Sequence, residues 1–130
     1  MRTYRIWISE QLFDLATESI HCRSNEIRRF ATLSGLVRHL CKAAQIASAD
    51  GETLAELADS FSTSGSISVL FWLNNEESQV LEALEEDLEA RLGAPQSVAD
   101  VISVLLFYYV IERRTAGILE RLGFDSRRAR

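Results

Sequence analysis

Four side chains of this sequence could ligate a metal ion: His21, Cys22, His39 and Cys41. Zinc sites combine thiolates and imidazoles, and zinc fingers hold them in two short pairs at fixed separations. The spacing here does not follow that pattern, and no histidine or cysteine occurs after residue 41. We therefore expect no metal site, and we expect Cys41 to pack as a small apolar side chain.

Catalytic chemistry has no local signature in this chain. The sequence contains neither a recognisable Ser-His-Asp motif nor a glycine-rich phosphate loop. The carboxylates of residues 85–87 fall on the polar side of an amphipathic helical pattern, which is typical of a solvated face. We expect a protein that is not an enzyme and that needs no cofactor.

The basic side chains of the first half are the groups that could bind an anion. Residues 1–48 carry seven basic and four acidic groups, whereas residues 76–89 carry seven acidic groups and no basic one. The net charge is −5, so the two halves produce an asymmetric field. A nucleic acid should approach the first half and avoid the second.

Composition limits the class of protein that carries these groups. The 130 residues, 47% hydrophobic and 25% charged, are typical of one globular domain or two very small ones. The longest apolar run, Val101–Ile111, is well below the roughly 20 residues of a membrane span. Two cysteines and the absence of a signal-peptide pattern favour a cytoplasmic protein that does not contact membranes.

The first half begins with a strand and continues with two helices. Tyr4, Ile6 and Ile8 alternate with polar or aromatic residues, which predicts a strand with one buried face. A helix begins after Ser9, and its apolar stripe fades around residues 21–24. A second helix begins at residue 32 or 34.

The second half repeats this order at a constant offset of 65 residues. Residues 67–73 alternate as a strand, and an apolar stripe after an acidic first turn predicts a helix that Gly93 ends. Ser97 caps the following helix. The offset also relates Trp7 to Trp72 and Leu36 to Val101, so we infer a diverged internal duplication.

A strand and two short helices cannot bury their apolar faces alone, but two such units can pair their strands into a ribbon above four helices. With this organisation the sequence resembles the ribbon–helix–helix family of MetJ- and Arc-type regulators, fused as two copies. The resemblance rests on residues 3–10 and 32–38 and on their counterparts 68–73 and 97–103. It implies a mostly α-helical tandem pseudo-dimer with a two-stranded antiparallel ribbon. The expected segments are a first copy (1–48), a linker with a short helix (49–65), a second copy (66–114) and a C-terminal helix with a basic tail (115–130).

The resemblance also implies a function, that of a sequence-specific DNA-binding protein. The chain would be a transcriptional repressor or a plasmid or phage accessory factor, and its ribbon would read the major groove of double-stranded DNA. The second helix of each copy would hold a phosphate at its amino end. Carried over by position, the DNA-binding residues would be Thr3, Arg5, Trp7, Arg28, Arg29, Thr32, Ser34, Ser68, Leu70, Trp72 and Ser97.

The second copy departs from the pattern of a DNA reader. Leu70 and Trp72 carry no group matched to a base edge, and Asp100 would repel a phosphate at the second helix end. Thr3 and Arg5 are suitable readers, so we expect an asymmetric DNA site.

Two apolar surfaces leave alternatives open. Trp7, Leu70 and Trp72 would form an outward patch that either contacts a protein partner or is covered by residues 49–61 or the C-terminal helix. The competing function is therefore a protein-interaction module that uses this face and blocks a nucleic-acid-handling partner. The second apolar surface would either mediate self-association or be covered by the C-terminal helix. It comprises Val104, Phe107 and Tyr108.

Overall fold

The computed structural model describes residues 1–43 and 51–123; the end of the first copy, the start of the linker and the basic tail lie outside these ranges. The described residues form two strands and five helices. They are β1 (Arg2–Ile8), α1 (Glu10–Ile27), α2 (Leu33–Ala43), α3 (Gly51–Ser60), β2 (Ile67–Leu73), α4 (Asn75–Leu92) and α5 (Val98–Arg121).

The two strands form an antiparallel ribbon, which confirms the prediction of a mostly helical protein with two paired strands. Their register runs from Arg2 opposite Leu73 to Ile8 opposite Ile67. One face of the ribbon packs on the helices through buried side chains, and the other faces solvent, as period-2 alternation requires. The buried side chains are Tyr4, Ile8, Phe71 and Leu73.

The boundaries of the elements recur along the chain. Residues 2–8 and 67–73 are strands, residues 10–27 and 75–92 are helices, and the next helical segments begin at residues 33 and 98. Each pair of positions is separated by the 65-residue offset found in the sequence. The residues that follow α1 and α4, Arg28 and Gly93, both adopt the left-handed conformation.

Helix α1 extends to Ile27, so the prediction that it fades around residues 21–24 is wrong. Serines continue the helix where the apolar stripe is interrupted, because their hydroxyls donate to backbone carbonyls one turn earlier. The hydroxyl of Ser19 bonds to Leu15 O at 2.7 Å, and that of Ser24 bonds to Ile20 O at 2.8 Å. Hydroxyls bonded in this way need no other partner inside a helix.

Helix α5 is continuous from Val98 to Arg121, so the expected boundary between residues 114 and 115 lies within a helix. Its second half extends the first along one axis and therefore cannot fold back to cover it. Val104 is nonetheless only 5% exposed and borders a cleft shared with Leu54 and Leu57 of α3. Because Val104 is buried within the chain, its proposed part in self-association is wrong; Phe107 and Tyr108 are half-buried.

Both outer edges of the ribbon have partners within the chain. The N–H of Trp72 donates to Ser34 Oγ of α2 at 3.1 Å. At the end of β1, the N–H of Ser9 donates to Thr63 O at 2.9 Å, and its hydroxyl donates to Ser62 O at 2.6 Å. We call residues 62–65 the strap. These contacts satisfy backbone groups that would otherwise pair with another chain.

The strap requires glycine at position 65. A Cβ there would lie 2.4 Å from the carbonyl oxygen of Ile8, too close for any contact between these atoms. Gly65→Ala is therefore expected to lower the free energy of unfolding by about 2 kcal/mol. Gly117→Ala is the control, because nothing lies within 4 Å of its added Cβ. In the interior of α5 this change should raise stability by about 1 kcal/mol. Urea unfolding measures both, and equal values for the two variants would contradict the close approach.

Candidate nucleic-acid interface

The solvent-facing side of the ribbon consists of three cross-strand pairs. Arg5 and Leu70 form the middle pair, while Trp7 opposite Ser68 and Thr3 opposite Trp72 flank it. All six of the ribbon residues expected to read DNA are thus brought together on one exposed surface. We call this surface the outer ribbon face.

The apolar part of the outer ribbon face is open to solvent. Trp7 is 56% exposed, Leu70 53% and Trp72 37%. Neither α3 nor α5 covers them. The alternative that residues 49–61 or the C-terminal helix cover this patch is therefore wrong for the described residues of both segments. Single exposed apolar residues are common, but three together are typical of a contact surface.

Arg5 is the cationic group at the centre of this face. Its Nη1 donates to Ser68 Oγ at 3.4 Å, a long hydrogen bond. Because Ser68 is neutral, this bond does not offset the charge of the guanidinium, and most of its five N–H groups remain available. An arginine in this state can donate to two acceptors of a guanine at once.

Trp72 is held by a charged pair that the sequence analysis missed. The guanidinium of Arg38 lies over its ring, 4.5 Å from the centroid. Arg38 Nε in turn donates to both carboxylate oxygens of Glu77, at 2.9 and 3.1 Å. Glu77 is 3% exposed and also accepts the N–H of Asn74 at 2.9 Å. Only the Asn74-to-Glu77 capping spacing signalled this carboxylate in the sequence.

The first expected phosphate site is the amino end of α2. The hydroxyl of Thr32 accepts the N–H of Gly35 at 3.0 Å and so caps the helix. The hydroxyl of Ser34 accepts the N–H of Trp72. Both hydroxyls therefore have structural roles, and an anion would meet the backbone N–H groups of the first turn other than that of Gly35, which Thr32 already caps. Arg28 and Arg29 precede this turn and are exposed.

The second expected phosphate site is closed by a carboxylate. The N–H of Ser97 donates to one oxygen of Asp100 at 2.8 Å, and the hydroxyl of Thr63 in the strap donates to the other at 2.6 Å. The hydroxyl of Ser97 accepts the N–H of Asp100 at 3.2 Å. A negative group already occupies the positive end of α5, so a phosphate would be repelled there.

The arginines differ in whether a carboxylate neutralises them. Among those in residues 1–43 and 51–123, six form salt bridges: Arg2, Arg23, Arg38, Arg91, Arg113 and Arg114. Four have no carboxylate within 4 Å in the described part of the chain: Arg5, Arg28, Arg29 and Arg121. The three arginines expected to contact DNA all belong to the second group.

The remaining candidate ligands do not form a site. Cys41 is buried, and its burial, together with the nearby Glu77, raises the pKa of its thiol to about 11. Among the residues described, no three histidine, cysteine or acidic side chains are placed to hold a metal ion. Within the same residues, no helix combines the length and apolarity needed to cross a bilayer. Comparisons of the chain with protein-family models, with curated proteins and with solved structures gave no match.

Proposed function

We propose that this chain binds double-stranded DNA by placing the outer ribbon face in the major groove, as a tandem ribbon–helix–helix pseudo-dimer. It would act by occupying its site, as a cytoplasmic repressor or accessory factor does. The observation that carries the proposal is that Arg5, Arg28 and Arg29 lack carboxylate partners among the described residues, whereas six other arginines have them. Exposed cations without carboxylate partners suit a polyanion.

The register of the ribbon supports the pseudo-dimer. Arg5 and Leu70 are opposite each other and are also 65 residues apart. The counterpart of Thr3 in the other copy is Ser68, and the counterpart of Trp72 is Trp7. Thr3 pairs with Trp72, and their counterparts pair with each other in the same way. A twofold axis through the Arg5–Leu70 pair explains this pattern, because it rotates each strand onto the other. A symmetric ribbon has the shape that enters a major groove.

The charges are not symmetric, and this determines the expected DNA site. The first copy contributes Arg5 at the centre of the ribbon and two arginines before α2. The second copy has Leu70 at the equivalent position and Asp100 at its helix end. We therefore expect a non-palindromic site in which one half-site provides most contacts.

A test begins with selection of a bound duplex from a randomised library of about 20 base pairs, a length that spans two half-sites one helical turn apart. Fluorescence anisotropy at about 50 and 200 mM salt then gives the dissociation constant and its salt slope. Arg5→Ala should weaken binding by roughly 10- to 100-fold, the range of a lost guanine contact. Arg29→Ala should reduce the salt slope by about one. The matched control is Arg121→Ala, which removes an exposed arginine from the far end of α5 and should change neither value.

A fourth variant separates DNA binding from folding. Arg28 has a φ of 59°, a conformation in which glycine is unstrained, and Gly93 occupies the equivalent position after α4 with a φ of 68°. Arg28→Gly should therefore raise the free energy of unfolding by about 0.5–1 kcal/mol while it weakens DNA binding. A protein that binds no duplex at the lower salt, or whose variants all behave like Arg121→Ala, is not the DNA-binding protein proposed.

A second function is favoured by one observation, the exposure of more than half of both Trp7 and Leu70. Large apolar groups on an open face often anchor a protein partner. In that case Trp7→Ser and Trp72→Ser would abolish binding to the partner, and Arg5→Ala would have little effect. The DNA-binding proposal expects the reverse order of effects on duplex binding.

A further inference from the structure

Phe30 is the most exposed large apolar side chain of the described structure, at 98%. It lies in the turn between α1 and α2, with Arg28 and Arg29 immediately before it. A phenyl ring gains considerable free energy by leaving water, so full exposure is unfavourable unless a partner covers the ring. We call residues 28–30 the Arg-Arg-Phe turn.

The backbone of the Arg-Arg-Phe turn is held in place by one serine. The N–H groups of Arg28 and Arg29 both donate to Ser24 O, the latter at 3.3 Å. The N–H of Ala31 donates to Ser24 Oγ at 2.9 Å. These three bonds fix both sides of Phe30, so its ring projects from an ordered turn.

The fold does not require these residues in this turn. The turn after α4, 65 residues later, has Gly93, Ala94 and Pro95 in the same positions. Glycine is the favourable residue at its left-handed position, and arginine is less so. The second turn thus forms without the two cations and the aromatic ring that the first turn carries. Their presence calls for a contact outside the chain.

The surface around the ring fits a chain of alternating charged and apolar groups. Phe30 and Arg29 line a cleft of about 180 Å³ together with the apolar side chains of Ile27 and Leu36. The same two residues line a second cleft, of about 280 Å³, together with Arg28. No carboxylate pairs with either arginine within the described ranges. The backbone of DNA alternates phosphates with deoxyribose rings and therefore complements this turn in both charge and polarity.

We propose that Phe30 is a further DNA contact, in which its ring packs on a deoxyribose between phosphates neutralised by Arg28 and Arg29. This inference rests on the proposed function and adds an apolar contact to the two arginines of the turn. The contact is independent of base sequence, because every nucleotide presents the same sugar and phosphate. It exists on one side only, since the second turn carries none of these groups.

The test is the affinity of Phe30→Ala for the selected duplex at both salt concentrations. We expect binding about tenfold weaker, from the apolar area no longer covered, with an unchanged salt slope because no charge is removed. Phe30→Leu should restore most of the affinity, because it returns apolar area. Phe13→Ala is the matched control: Phe13 is also an exposed phenylalanine, but it lies in α1, away from the turn.

The outcomes separate this contact from the function on which it rests. If the unaltered protein binds no duplex, both fail. If Arg5→Ala weakens binding while Phe30→Ala behaves like Phe13→Ala, the DNA-binding function stands and the Phe30 contact is overturned. Binding of the unaltered protein to phosphatidylserine vesicles that Phe30→Ala abolishes would assign the ring to a membrane surface instead. Concentration-dependent dimerisation lost in Phe30→Ala would assign it to a second copy of the chain.

Discussion

Arg38→Ser is expected to lower the free energy of unfolding by about 3 kcal/mol, because it leaves the buried carboxylate of Glu77 without its cationic partner. The carboxylate keeps its hydrogen bond from the Asn74 N–H in the α4 capping box but loses two charge-assisted hydrogen bonds. Water cannot replace them fully, since Glu77 is almost completely buried. The stacking of Arg38 on Trp72 is lost as well, which adds a smaller destabilisation.

The other half of the chain supplies the control for this substitution. The positions 65 residues from Glu77 and Arg38 are Leu12 and Ser103, both buried. A leucine and a serine therefore fill the equivalent space without any charge. The double variant Glu77→Leu with Arg38→Ser should be within about 1 kcal/mol of the unaltered protein, since apolar replacements of buried ion pairs are often neutral.

Urea unfolding followed by far-ultraviolet circular dichroism measures these differences without relying on the tryptophans. If Arg38→Ser lowers the free energy of unfolding by less than about 1 kcal/mol, water must reach the Glu77 carboxylate and replace its lost hydrogen bonds. A double variant as unstable as the single one would mean that the two halves are not equivalent in packing.

The same pair predicts a dependence on pH. Burial by itself would raise the pKa of Glu77, but its hydrogen bond from the Asn74 backbone and its contact with Arg38 outweigh burial and lower the pKa below 4.5. A carboxyl group with a lowered folded-state pKa stabilises the protein above its unfolded pKa, and that stabilisation is lost as the pH falls through the folded value. The unaltered protein should therefore lose more stability between pH 6 and pH 3 than the double variant. Equal losses would contradict the assignment.

The sequence predicted the strands well because alternation with period 2 depends only on which face is buried. Tyr4 and Ile8 point inward, and Arg5 and Trp7 point outward, as the alternation requires. The 65-residue offset likewise anticipated both helix starts in the second half. Polar residues limited the prediction of α1, since hydroxyls such as those of Ser19 and Ser24 can bond within a helix and so hide its continuation.

The part of the site that could not be predicted depends on contacts between distant segments. Nothing local distinguishes Arg38, which is paired with Glu77, from Arg29, which has no carboxylate partner among the described residues. That difference arises only when α2 packs beside α4 and β2. The contact of the strap with Asp100 is of the same kind, because Thr63 and the residues around it carry no periodic pattern. Sequence reasoning located the candidate surface but could not tell which of its charges were neutralised.

Phe71→Ala is expected to have the largest effect of any single substitution considered, a loss of about 4 kcal/mol in the free energy of unfolding. Phe71 is 1% exposed and lies under the middle of the ribbon. Its ring stacks on that of Tyr4, its cross-strand partner, with centroids 5.0 Å apart and planes 8° from parallel. The substitution removes this aromatic contact and leaves a cavity that the paired strands hold open.

Two variants at the same layer test that explanation. Phe71→Leu keeps most of the volume and should cost about 1.5 kcal/mol. Ile6→Ala removes the residue at the equivalent position of the first copy, which is only half-buried, and should cost about 1.5 kcal/mol as well. A loss below about 2 kcal/mol for Phe71→Ala would mean that the inner face of the ribbon is not part of the core. The proposed DNA interface depends on this result, because the outer ribbon face can present Arg5 in a groove only if the inner face holds the two strands rigidly on the helices.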